Sequence, residues 1–149
     1  MTGERAERFV VWNLRLLAGT FALVGLLFIV APDSTLEALD DFGDWLPLGQ
    51  FTSAPETAQQ LWLALGFAYM TVIAGMCLLA STDVVRYRPL LLVLAAGKAA
   101  SSLTALGFYL FDEDVFAYVL NFLVDGFLVG VALLLWALAG RVGDPAGAT

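Results

Sequence analysis

Histidine is absent from this chain, and cysteine and lysine occur once each, as Cys77 and Lys98. Without imidazole there is no His metal ligand, no His-ligated haem and no His-based catalytic triad. A lone cysteine makes neither an intrachain disulfide nor a CxxC redox pair. Phosphate loops of the GxxxxGK[ST] and GxGxxG kinds are also missing. Charge is scarce: 14% of the residues are charged, and seven basic side chains face fourteen acidic ones, for a net charge of −7. That balance argues against a nucleic-acid partner. Neither a metal nor a cofactor is implied.

What is abundant is apolar surface. Of 149 residues, 60% are hydrophobic, and the mean hydropathy is +0.85. A soluble domain is about 45–50% apolar and about 25% charged, and a core of this length cannot hide so large an excess. The solvent for most of the chain is therefore lipid.

A helix needs about 20 apolar residues to cross a hydrocarbon core about 30 Å thick. Four stretches qualify, over about 9–31, 56–80, 89–110 and 115–140. They lack the period-2 alternation of strands, so helices are the expected form. Between the first two lies the one sizeable extramembrane segment, 32–55, and a small polar tail occupies 143–149. The expected fold is all-α: a single transmembrane domain, folded as an up-down-up-down four-helix bundle with a short amphipathic helix in the first extramembrane loop. The short connections Ser81–Arg88 and Phe111–Asp114 predict antiparallel neighbours.

Punctuation marks the ends. Ser34–Glu37 and Ser53–Glu56 have capping-box spacing, and Pro89 suits a first helical turn. Gly140, Gly143 and Pro145 are read as closing the fourth span. Leu36, Leu39 and Phe42 recur opposite Asp40, Asp41 and Asp44, the pattern of a helix lying on a surface. Trp45 and Leu46 then dip toward lipid or the bundle. The plain reading of this loop is a lid over helix ends; the functional one is a docking surface or gate.

Direction follows from the arginines. Arg5, Arg8, Arg15, Arg86, Arg88 and Arg141 all fall on one side of the four spans, while the loops of the other side carry acidic residues only. The positive-inside rule places both termini in the cytoplasm of a multi-pass protein of the cell membrane. The first span reads as a retained anchor, because no A-x-A cleavage site follows it.

One constellation stands apart. Lys98 lies nine residues beyond Pro89, and Asp125 nine residues beyond Phe116, so each is about 13 Å from opposite faces and both fall near mid-membrane. Ser101 and Ser102 share the face of Lys98, and Asn121 that of Asp125. Tyr69 falls near mid-membrane on the second span. Small residues (Gly97, Ala105, Gly126 and Gly130 among them) allow close helix approach, and Gly19, Gly25, Gly66 and Gly75 are read the same way. An ionised group at the bilayer centre costs at least about 2.5–3.5 kcal/mol, so the pair is expected inside the bundle. The structural reading is an ion pair that fixes helix register. The functional reading is a mid-membrane binding or proton-handling site made of Lys98, Asp125, Asn121, Ser101, Ser102 and Tyr69. Cys77, with no basic neighbour in sequence, is expected to be an inert buried thiol.

The run Asn13-Leu-Arg15-Leu-Leu-Ala-Gly19 opening the first span, Ala31-Pro32 closing it and three further spans with short connections resemble the DoxX-like small four-helix membrane proteins. That resemblance implies an accessory subunit of a membrane redox or quinone-linked system. The missing cysteine pair argues against a thiol-redox role. The leading expectation is an accessory or assembly subunit, or a self-associating bundle, without independent catalysis. Its partners are the lipid bilayer and either another membrane protein or a second copy. The alternative is a carrier or binding site for a small ion, proton or lipophilic molecule, with Asp125 as proton acceptor beside Lys98.

Overall fold

The computed structural model describes residues 3–45, 60–112 and 114–142. Every element among them is a helix: α1 (Gly3–Val30), α2 (Pro32–Trp45), α3 (Gln60–Thr82), α4 (Arg88–Phe111) and α5 (Phe116–Val142). All but α2 are long and apolar enough to cross a membrane; even α3, at 23 residues, is about 35 Å long. The Ser53–Glu56 capping box, the 56–59 end of the second span, Leu46, Glu113 and the tail from Gly143 lie outside the described residues. So do the side chains of Leu36, Leu39, Asp40, Asp44 and Trp62.

The molecule is apolar on the outside. Only 22–33% of each apolar span window is buried, and large side chains such as Trp12, Val30, Phe111 and Phe127 are more than 60% exposed. The few fully buried polar side chains include Lys98 and Asp125. This inverts the pattern of a water-soluble domain and matches lipid as the outer solvent.

The long helices pair two by two. α1 packs along α3 and α4 along α5, and the pairs meet chiefly where α1 lies against α5. The α4–α5 pair is antiparallel: Arg88 reaches Trp136, Lys98 reaches Asp125, and Phe108 meets Tyr118. By contrast, α3 and α4 touch only sparsely despite the short connection over 83–87. A tight turn, with Asp83 Oδ1 accepting the Arg86 amide at 2.9 Å, returns the chain without laying the two helices along each other. Sequence proximity alone thus mispairs this element.

Core stripes follow helical spacing. Ala6, Val10, Leu14, Ala18 and Phe21 face inward from α1, and Leu91, Leu94, Ala95, Lys98, Ser102 and Ala105 from α4. Glycines matter where backbones approach. A Cβ at Gly25 would lie 3.0 Å from the Met70 Cβ, so this residue sets the α1–α3 distance. At Gly19, Gly66, Gly75 and Gly130 a Cβ would meet nothing within 4 Å; these four do not mark close helix contacts, because their Cα faces point away from the neighbouring helices. Gly140 does not close α5 either. It sits inside the helix, where a Cβ would collide with the Arg88 guanidinium at 2.8 Å. That guanidinium stacks 4.1 Å from the Trp136 ring centre and donates from Nε to the Trp136 carbonyl at 2.9 Å, placing a cation near the negative end of α5.

The helix α2 begins at Pro32, not at a Ser34 cap. Proline suits the first helical position, where no N–H is required, and Thr35 donates its hydroxyl to the Ala31 carbonyl at 2.7 Å. Only Ala31 separates α1 from α2. At its far end α2 packs on the start of α5: Phe42 and Phe116 meet edge to face at 6.1 Å, and a Cβ at Gly43 would lie 2.7 Å from the Phe116 ring.

Candidate functional site

Lys98 and Asp125 are brought together from adjacent helices by the antiparallel α4–α5 register. Lys98 Nζ donates to Asp125 Oδ1 at 2.9 Å, and the two residues are 1% and 4% exposed. This is the one ion pair among the described residues. Lys98 has the largest of the fully buried side chains, and its four-carbon stem carries the ammonium to the junction of the helices. There Nζ stands 4.6 Å from the Phe21 ring centre on α1 and 5.5 Å from that of Tyr69 on α3. Cation–π attraction of this kind contributes about 0.5–2 kcal/mol, more as water is excluded. One lysine therefore touches elements from both helix pairs.

Two further polar bonds lock the same register. Ser102 Oγ donates to the Phe122 carbonyl at 2.8 Å, and Asn121 Nδ2 donates to Ser101 Oγ at 3.2 Å. The glycines beside the pair give room for this. A Cβ on Gly97 would lie 3.1 Å from the Tyr69 hydroxyl, and one on Gly126 would lie 3.3 Å from Ser102 Oγ. No buried side-chain nitrogen or oxygen among the described residues lacks a hydrogen-bond partner.

The pair is closed over to within a few per cent, and a cleft lies beside it. A cleft of about 370 Å³ runs between α1 and α5, with Met70 of α3 and Lys98 of α4 completing its wall. Thr20, Phe21, Val24 and Phe28 form one side; Ala117, Leu120, Asn121, Val124, Asp125 and Leu128 form the other. Thr20 and Val124 are exposed, so the cleft opens sideways on the apolar flank of the bundle. Its volume lies within the about 300–1,000 Å³ of small-molecule sites, and its mostly apolar lining with a few convergent polar groups is their usual composition.

The six residues singled out from sequence divide into two groups. Lys98, Asp125 and Asn121 line the cleft. Ser101 and Ser102 lie behind it, as clamps between α4 and α5, and Tyr69 stands over Lys98 from α3 without lining the cleft. Sequence reasoning missed the α1 wall, above all Phe21. Hydropathy gives no signal for it, because lipid and core call for the same side chains. The 4-4-4-3 spacing of the buried α1 residues from Ala6 to Phe21 is the pattern that ends on it. Cys77 is buried, as expected. No family model, curated protein or solved structure matches this chain.

Proposed function

We propose that this protein binds a small lipophilic molecule within the bilayer, in the cleft between α1 and α5, without catalysing a reaction on it. One observation carries the reading: an almost fully buried ion pair stands in the inner wall of an apolar cleft between α1 and α5. A molecule entering from the lipid would lie against the wall that holds the two charges, and a small side-chain shift would bring its head group to them. The cleft faces lipid at Thr20 and Val124, so a ligand need not cross water to reach it.

The proposed setting is a cell membrane crossed by α1, α3, α4 and α5 in alternating directions, with both termini cytoplasmic. The support is the one-sided distribution of the arginines and the antiparallel α4–α5 contacts. In that orientation α2 is an amphipathic helix on the outer surface, held at its end by Phe116. Binding of this kind also suits an accessory subunit that holds or hands over a lipophilic molecule for a membrane partner. The DoxX-like layout favours that use.

Native mass spectrometry of protein released gently from its own membrane tests the reading. One discrete small molecule per chain is expected, and Val24→Trp, which fills the cleft, should remove it while the protein stays folded. Retention of the same molecule by the Trp variant would place it elsewhere on the surface. A stoichiometric protein partner with an empty cleft would return the molecule to the plain accessory-subunit reading.

A further inference from the structure

The polar end of the cleft has an unusual balance, and the balance selects a ligand class. Among the described residues Lys98 and Asp125 are the only charged ones lining it, and together they sum to zero. An anionic or cationic head group entering from lipid would leave a third charge without a counter-charge. In so apolar a setting that outcome costs several kcal/mol. A neutral head avoids it.

Hydrogen-bonding capacity narrows the class further. The Lys98 ammonium has three donors and no acceptor, and an ionised Asp125 has acceptors only. Among the described residues one N–H of Lys98 is used on Asp125 Oδ1, which leaves Oδ2, an oxygen that is not among the fully buried atoms, with no bond. Asn121 has its amide nitrogen engaged by Ser101 and its carbonyl oxygen unengaged, and the Thr20 hydroxyl is turned back onto the Leu16 carbonyl at 3.0 Å. Where the cleft meets these nearly buried groups, spare donor capacity at Lys98 stands beside spare acceptor capacity at Asp125 and Asn121. A ketone or ester carbonyl answers only the donor. A hydroxyl accepts and donates at one atom and answers both.

The shape supplies the rest. Phe21 and Asp125 mark the polar end, and Phe28 and Ala117 lie further along α1 and α5. Phe28 is seven positions beyond Phe21 and Ala117 eight positions before Asp125, giving an apolar slot about 10–12 Å long. It ends close to Phe116, where α2 packs.

We infer that the cleft selects an uncharged, hydroxyl-bearing amphiphile of medium chain length, its hydroxyl bridging Lys98 and Asp125 and its chain lying toward Phe28. This rests on the binding reading given above. The test uses the full chain in lipid nanodiscs and a ten-carbon primary alcohol carrying a mid-chain diazirine. Illumination should cross-link it to the α1 and α5 walls of the cleft. Unlabelled decanol should compete at least tenfold better than decanoate, decylamine or decane at neutral pH, since hydrogen bonds to charged partners carry the preference. In the Lys98→Met/Asp125→Leu double variant, with the cleft retained and the pair replaced, decanol and decane should compete equally. Cross-linking in the cleft with decanoate or decylamine as the better competitor overturns the inference and leaves the binding reading standing. Equal competition by decane in the unaltered protein does the same, by showing an apolar slot with no head-group recognition. Labelling that never maps to the cleft overturns both.

Discussion

Lys98 illustrates what a single residue can do in a bundle of this size. Its stem is buried as a hydrophobe would be, and its ammonium joins a carboxylate from α5 to aromatic faces from α1 and α3. Removing one member of such a pair leaves an uncompensated charge, so Lys98→Met alone or Asp125→Leu alone should cost about 3–5 kcal/mol. The double change should restore most of that loss, because two apolar side chains fill the space without a desolvation penalty. Unfolding followed in mixed micelles for the four proteins measures the coupling directly. Tolerance of both single changes would mean that the groups are solvated by water in the cleft rather than by each other.

At the scale of the element, glycine positions separate the contacts that hold the helices from those that only look as if they should. Gly25→Val brings a side chain against Met70 and Phe67, and should push α1 from α3 at a cost of about 1–3 kcal/mol, as overpacking does. Gly19→Ala, Gly66→Ala and Gly75→Ala place a methyl group in open space. They should be neutral or slightly stabilising, since alanine favours a helix over glycine by about 0.8–1 kcal/mol. Thermal midpoints of the four variants in one detergent test this contrast; a Gly25→Val protein as stable as the alanine variants would remove Gly25 as the α1–α3 spacer. Gly43 has the same logic at a different joint. Its missing side chain lets α2 close on Phe116, which ties α2 to the start of α5.

The whole molecule is two helix pairs joined across α1 and α5, with the ion pair where all four long helices come near one another and a cleft along the joint. Its direction in the membrane is a global property set by the loops. With Cys77→Ala as background, a cysteine placed at Asp41 should react with an impermeant maleimide on intact cells. One placed at Arg86 should react only after permeabilisation. The reverse pattern would invert the proposed topology, and labelling of both from outside would change the number of crossings. The same assay reads the seam between the pairs: a cysteine at Val124, at the cleft mouth, should become less reactive toward a lipid-soluble thiol reagent when decanol is present.

Several features were legible before any coordinates. The number of long helices follows from run length, because a bilayer of fixed thickness demands about 20 apolar residues from each crossing. The Lys98–Asp125 pair follows from equal depth on neighbouring antiparallel segments, since two opposite charges in lipid have few alternatives to each other. Tertiary structure decided the rest. Which long helices pack together is invisible to hydropathy when every face is apolar: the short connection over 112–115 did announce the α4–α5 pair, but the equally short one over 83–87 joins two helices, α3 and α4, that barely touch. The same blindness hid Phe21 and the cleft wall. It also made Gly19, Gly66 and Gly75 look like contacts when only Gly25 among that group meets a neighbouring helix. Charge in lipid reports its own position along the sequence; apolar surface, equally content against lipid or protein, reports its partner only once the chain has packed.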